Sequence, residues 1–236
     1  MDLYCDDLHK MDGGVNRNTV LRLVRYLRVL EQLRALGFMK VFSNNLGDAV
    51  GVTAAVVRKD LAQIEAAGNK RGGYMIDPLI AKISELLGRD KRQHAVLVGC
   101  GRIGSALLDY PGFERDNIEI TAAFDSAPDR VAYRGSIKVY HVDELERYLE
   151  NHRILVGILT VPDDAAAEVF DRMLAAGIVG VLNFSSTQLK SRAAAGDQLG
   201  AQDCFVHNIN ISLELANLFY LVRASGDAGG ANASGS

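Results

Sequence analysis

Cysteine is scarce: Cys5, Cys100 and Cys204 are the only three in 236 residues, an odd number with no metal-ligand spacing. That excludes a disulfide scaffold and a cysteine-built metal centre, and it predicts free thiols in a reducing compartment. No run approaches the roughly 18 consecutive apolar residues that a membrane span requires. The opening Met1-Asp2-Leu3-Tyr4-Cys5-Asp6-Asp7 is acidic where a secretory signal would be basic, so the expected location is the cytoplasm, with no membrane partner. Internal repeats are also lacking, which excludes a solenoid.

The hydrophobic share of 48% is enough for one small and one medium core. A net charge of −3 hides an asymmetry, because residues 16–74 carry ten Lys and Arg against four Asp and Glu. The remaining 16 basic and 25 acidic residues make the rest of the chain acidic. Such a division suggests that the first part meets a polyanion and the second does not. The polar, Gly-containing residues 1–15 and the Gly/Ala/Ser/Asn-rich residues 226–236 read as disordered tails.

Residues 19–36 carry Val20, Leu23, Leu27, Leu30, Leu33 and Leu36 at helical spacing, and Gly37 follows as a stop. Ser43 is read as the N-cap of a short helix through Val50. Gly51 supplies a turn, and Thr53 caps a further helix to about residue 67. This helix-turn-helix is followed by a basic glycine loop, Lys70-Arg71-Gly72-Gly73-Tyr74, read as a wing. Asp77-Pro78 then starts a helix ending near residue 88. In such a unit the second helix enters the major groove, with Val57-Arg58-Lys59-Asp60 on its exposed side and Gln63 one turn on. The expected DNA contacts are Ser43, Arg58, Lys59 and Gln63, with Lys70, Arg71 and Tyr74 from the wing.

From Gln93 onward short apolar runs alternate with amphipathic stretches. Strands are expected over residues 94–98, 118–124, 139–140, 154–160 and 179–184, and helices over 103–109, 142–151 and 164–176. That alternation predicts a doubly wound, mostly parallel α/β sheet. The first strand leads into Gly99-Cys100-Gly101-Arg102-Ile103-Gly104, and Asp125 ends the next apolar run. The first glycine permits a tight turn, the second lets the backbone approach a pyrophosphate, and the third lets helix and strand pack closely. The helix N-terminus offers N–H groups to the phosphates. Asp125 is placed to accept both ribose hydroxyls and to repel a 2′-phosphate, which favours NAD(H) over NADP(H), while Arg102 works against that preference. Another adenine nucleotide such as coenzyme A, or a Rossmann fold that binds nothing, stays open at this point.

Catalytic residues are not evident. A hydride-transferring enzyme needs a proton donor near its substrate, yet His141 and His207 read more simply as surface or loop histidines. Only about fifty residues follow the last expected strand, too few for a substrate domain. Binding without chemistry is the simpler account.

These residues make the chain resemble the redox-sensing repressors called Rex. The likeness runs through Arg25-Tyr26-Leu27-Arg28-Val29-Leu30-Glu31, Val57-Arg58-Lys59-Asp60-Leu61 and Lys70-Arg71-Gly72, then through the Gly99–Gly104 loop and Leu108-Asp109-Tyr110-Pro111-Gly112-Phe113. It continues in Ala123-Phe124-Asp125, Leu159-Thr160-Val161-Pro162 and Gly180-Val181-Leu182-Asn183-Phe184. The resemblance implies a winged-helix DNA-binding domain (16–90), a Rossmann NAD(H)-binding domain (91–211) and a dimer-swapped C-terminal helix (212–225). It also implies a homodimer on palindromic double-stranded operator DNA, a repressor and not an enzyme, released by NADH and not by NAD+. By the same likeness Thr160, Val161, Pro162, Asn183, Phe184 and Tyr110 join Gly99, Gly101, Arg102, Ile103, Gly104 and Asp125 in holding the nucleotide, and Arg28, Tyr110 and position 210 form the switch. The chain departs from the family at Ile209-Asn210, where Val-Asp is expected, at Ala62-Gln63-Ile64-Glu65 and at Phe184-Ser185-Ser186. An amide at 210 cannot form the charged pair with Arg28, so the allosteric response is expected to be altered. A nicotinamide-dependent enzyme fused to a DNA-binding module and a coenzyme A-responsive regulator are the alternatives.

Overall fold

Asn16 starts the first helix by accepting the Thr19 N–H at 2.9 Å, and α1 (Arg17–Ala35) follows. The structure, a computed structural model, describes residues 15–68, 71–131, 133, 135–190 and 204–230. The chain divides into two units, Met1–Gln93 and His94–Ser236.

In the first unit α1 is followed by β1 (Lys40–Val41), α2 (Ser43–Val50), α3 (Ala54–Gln63), β2 (Tyr74–Met75) and α4 (Ile76–Leu86). Gly51, at φ +77°, ends α2 in the left-handed region that glycine tolerates, and the Thr53 hydroxyl accepts the Val56 N–H to open α3. β1 and β2 pair antiparallel, Lys40 opposite Met75 and Val41 opposite Tyr74. Leu23, Tyr26, Leu27, Leu30, Leu46, Val57, Leu61 and Ile83 close the core. The α1 stripe is thus used, except at its last rung: Leu36 is the C-cap residue and 75% exposed.

Two cap assignments are corrected. The N-cap of α2 is Phe42, without a side-chain bond, because the Ser43 hydroxyl is buried and accepts Arg58 Nη1–H at 3.2 Å. Helix α4 begins at Ile76 after Met75, which places Asp77 in its first turn, where a carboxylate suits the helix dipole.

The second unit runs β3 (Gln93–Val98), α5 (Arg102–Leu108), α6 (Gly112–Arg115), β4 (Ile118–Asp125), β5 (Val139–His141), α7 (Leu145–Asn151), β6 (Val156–Leu159), α8 (Asp163–Ala175), β7 (Gly180–Asn183), β8 (Phe205–Asn208) and α9 (Ile211–Gly230). Its strands lie in the order β5-β4-β3-β6-β7-β8, with parallel pairing between β3 and β6, β4 and β5, β6 and β7, and β7 and β8. This is the doubly wound order that reverses direction between its first and fourth strands, here β3 and β6. Val96 and Val98 pack with α7 and α8 on one face, while Leu97 packs with Leu108, Ile120 and Ile158 on the other. A strand covered on both faces reads as a continuous apolar run, and β3 does.

Strand β8 was not expected: Phe-Val-His-Asn is short, with two apolar residues followed by two polar ones and no strand periodicity, and its pairing with β7 makes it a strand. The last helix exceeds its expected end and runs to Gly230, through residues 226–230 that composition assigned to the tail. Once nucleated, a helix gains one hydrogen bond per added residue, so composition alone marks its end poorly. Residues 1–14 and 231–236 of the expected tails lie outside the described residues. No helix among the described residues is long and apolar enough to cross a membrane.

One ionic cluster lies in the first unit's interior. The Asp60 carboxylate is 1% exposed and accepts Arg22 Nε–H at 2.6 Å, Arg22 Nη2–H at 2.7 Å, the Tyr26 hydroxyl at 2.9 Å and the Thr19 hydroxyl at 3.3 Å. Burial opposes its ionisation, but the bonds from Arg22, Tyr26 and Thr19 outweigh that and hold the carboxyl below the usual range. Asp60→Ala should therefore cost the first unit about 1.5–3 kcal/mol in urea unfolding, since Arg22 is partly exposed. In the unmutated chain this contribution is full above the ordinary carboxylate range near about pH 4 and is lost as pH falls through the lower folded value. Equal stability of the variant and the parent at pH 7 would refute the assignment.

Candidate functional site

The sheet's reversal point sets the backbone of two strand ends side by side. Val98 pairs with Leu159, so the next residues, Gly99 and Thr160, meet directly. Gly99 has φ +98°, and a Cβ built there would lie 2.7 Å from the Thr160 carbonyl oxygen. A Cβ at Gly104 would overlap the Gly99 carbonyl oxygen. Gly101 differs, since a Cβ built on it meets no atom within 4 Å. Two glycines thus serve close packing, and the middle one leaves the loop open on its outer side. That is the opening a pyrophosphate needs, and no side chain caps the start of α5 there.

The loop is strapped from several elements. Gly99 N–H donates to Phe124 O at 2.8 Å, and Cys100 N–H donates to Asp125 Oδ2 at 2.7 Å. The Ser105 hydroxyl donates to Cys100 O at 2.9 Å, and the Thr160 hydroxyl donates to Gly99 O at 2.5 Å. Ser105 escaped the sequence reading because a serine in a helix carries no pattern of its own. The second Asp125 oxygen accepts Ala127 N–H at 2.8 Å. Each carboxylate oxygen retains a further lone pair, so the half-buried Asp125 can accept two more hydrogen bonds. Cys100 is a structural thiol: burial first, then the Asp125 charge, push it up to about 12, and its Sγ donates to Phe124 O at 3.7 Å. Cys100 and Cys204 are both buried and in no disulfide among the described residues, while Cys5 lies outside them.

Arg102 and Ile103 are exposed at the start of α5. Tyr110 is 49% exposed, held edge-to-face against Phe113 with ring centroids 5.2 Å apart. Val161 and Phe184 are half-buried, and exposed Pro162 is the N-cap of α8. Asn183 is corrected: its side chain is fully buried and committed, donating to Thr187 O and to Asn208 Oδ1 at 2.8 Å each and accepting from Ser185. It ties down the turn after β7 and has no group left for a ligand. His207 is exposed on β8, whereas His141 ends β5 in register with Asp125. Among the described residues no group of three or more His, Cys, Asp or Glu could hold a metal ion.

In the first unit, α3 presents Ala55, Lys59 and Ala62 to solvent, with Arg58 half-buried beside them. The expected exposed side is corrected at Val57 and Asp60, which face inward to the core and to Arg22. The small Ala55 and Ala62 leave the helix backbone accessible beside Lys59, a feature the search for charged residues passed over. Ser43 is buried behind Arg58 and steadies that guanidinium. Tyr74 is a core residue, 6% exposed, and its ring occupies the space a Cβ on Gly68 would need. Gln63 turns toward α4 and lines a cavity of about 290 Å³ with Lys82 and Glu85. Arg71 is exposed, and Lys70 lies outside the described residues. Arg28 and Arg25 flank a cavity of about 410 Å³ with Val24, Val29 and Val50. In the second unit Asn210 caps α9, its Oδ1 accepting the Leu213 N–H at 3.0 Å.

Comparisons with known proteins follow this division. A family model described as "CoA binding domain" matches residues 90–187, and one described as "Putative DNA-binding protein N-terminus" matches residues 14–62. The redox-sensing transcriptional repressor Rex of Anoxybacillus flavithermus is 36% identical over 210 residues, covering 89% of this chain and 94% of its own. The Thermus thermophilus repressor of the same name is 40% identical over 173 residues, covering 72% and 81%. Among solved structures, the Rex-family repressor RSP in complex with β-NAD+ and operator DNA superposes with a TM-score of 0.79 at 26% identity, covering 94% of this chain and 99% of that one. RSP with β-NADH gives 0.78 at 27%, covering 92% and 99%.

The three glycines should separate on substitution. Gly101→Ala should fold with an unchanged thermal midpoint yet weaken dinucleotide binding by about tenfold or more, because its methyl enters the phosphate opening. Gly104→Ala should instead lower the midpoint. Full dinucleotide affinity in Gly101→Ala, measured by calorimetry, would place the ligand elsewhere.

Proposed function

The chain belongs to the Rex family of redox-sensing transcriptional repressors, and we propose that it acts in the cytoplasm as a homodimeric repressor that binds palindromic double-stranded operator DNA and is released by NADH. The observation that carries this reading is the phosphate loop, open at Gly101 and backed by an oriented Asp125, in one chain with a helix α3 that exposes Lys59 beside a half-buried Arg58. Residues 16–90 bind DNA in this reading and residues 91–211 bind the nucleotide.

Arg58 and Lys59 reach the major groove, with Arg71 toward the backbone. NADH lays its pyrophosphate over Gly101, its adenosine ribose on Asp125 and its nicotinamide toward Tyr110. The dimer is supported by α9, on which Leu213, Leu215, Leu218, Phe219, Tyr220, Leu221 and Val222 are all about half exposed or more. A helix this apolar and this uncovered needs a second copy to bury it. The relatives are named as repressors, which supports regulation rather than turnover. The "CoA binding domain" match keeps coenzyme A as a second candidate ligand, but its ribose 3′-phosphate would meet the Asp125 carboxylate.

Anisotropy of a labelled palindromic Rex-type operator, at fixed salt because phosphate contacts are salt-dependent, tests the reading with NADH, NAD+, coenzyme A or no ligand. Release by NADH and not by NAD+ is expected. Tight binding that no nucleotide alters would sink the sensor while keeping the DNA-binding role. Asn210 tests the switch separately. Asn and Asp cap helices about equally well, so Asn210→Asp should keep α9 while restoring a negative charge at this position. The NADH effect on operator affinity should grow by about fivefold or more, and an unchanged effect would remove position 210 from the switch.

A further inference from the structure

Asp125 and His141 end neighbouring parallel strands and stand opposite each other in register. The His141 ring makes three contacts. Its Nδ1 accepts the Asp143 N–H at 3.3 Å, closing a capping box at the turn after β5, and lies 3.2 Å from Asp143 Oδ2. Its Nε2 lies 3.1 Å from the Ser126 carbonyl oxygen. A carbonyl oxygen only accepts, so Nε2 carries a proton and donates it to Ser126.

Ser126 lies between the carboxylate of Asp125 and the Ala127 N–H that binds Asp125 Oδ1 at 2.8 Å. The other oxygen, Oδ2, is held by Cys100 N–H from the phosphate loop. One carboxylate oxygen is therefore referenced to the phosphate loop and the other to the Ser126–Ala127 turn, and His141 attaches that turn to β5. We propose that His141 is a positioning residue for ribose recognition: its Nε2–H latches the Ser126 turn and so sets where the Asp125 carboxylate meets the 2′-hydroxyl of the adenosine ribose. The proposal rests on the reading of the second unit as an NAD(H) site. His141 acts through Asp125 and transfers no proton.

The two ring nitrogens can be tested separately. A glutamine amide nitrogen reaches about as far as Nε2 and keeps the latch without the cap. An asparagine oxygen stands where Nδ1 does and keeps the cap without the latch. The full-length parent, His141→Gln and His141→Asn are titrated calorimetrically with NADH and with its 2′-deoxyadenosine analogue, and thermal midpoints are recorded without ligand. His141→Asn should bind NADH about three- to tenfold more weakly, whereas His141→Gln should stay within about twofold of the parent. The loss in His141→Asn should vanish for the 2′-deoxy analogue, which lacks the hydroxyl at stake. The proposal is overturned if His141→Asn binds NADH like the parent, if it weakens both ligands equally, or if His141→Gln is as weak as His141→Asn. Failure of the parent to bind NADH would overturn the site reading itself, and that result appears before any variant is compared.

Discussion

The second unit is organised by the close approach of two backbones where the sheet reverses direction. Gly99 and Thr160 lie too near for any side chain on the former, and the Thr160 hydroxyl bonds across the gap. Strand β6 must then run directly beside β3, with α8 leaving from the same end. The loop after β3 turns outward and delivers Gly101 to open space. Without that contact the phosphate opening, the start of α5 and the orientation of Asp125 would lose their common reference. The opening at Gly101 is a by-product of packing that admits no side chain at Gly99 or Gly104.

Carboxylates show how environment assigns roles to one residue type. Asp60 is enclosed and fully paired, so its charge holds α1 against α3 and is spent inside the fold. Asp125 takes only backbone N–H groups, keeps lone pairs facing outward and is left competent for a ligand. Asp163 accepts the Ser186 N–H at 2.7 Å and ties the turn after β7 to α8. The chain's departure Ser185-Ser186 thus sits in a bonded turn, supported also by Asn183. Asn210 shows a related economy, since an amide preserves the helix cap that an aspartate would provide while giving up the charge.

Much of this was legible in the residues before any coordinates. Helical spacing located α1, the glycine spacing located the open loop after β3, and the alternation of apolar runs identified the doubly wound class; these signals are local, set by the chain's own periodicity and by backbone angles that glycine alone permits. Contacts between distant segments were not legible. Whether Asp60 faces solvent or Arg22, whether Asn183 offers its amide to a ligand or to Asn208, and whether Phe-Val-His-Asn is a strand all depend on what another segment brings alongside. Tyr74 and Ser43 looked like surface polar groups beside a basic helix and became core and support. His141, unremarkable in sequence, gains meaning only because β5 pairs with β4 in the register that sets it beside Asp125. Which elements form, and which loop has the chemistry to hold a phosphate, follow from spacing and residue type along the chain. Tertiary structure alone decided which polar groups are consumed in holding the fold and which remain free to act, because a hydrogen bond between residues 20 or more apart leaves no local trace.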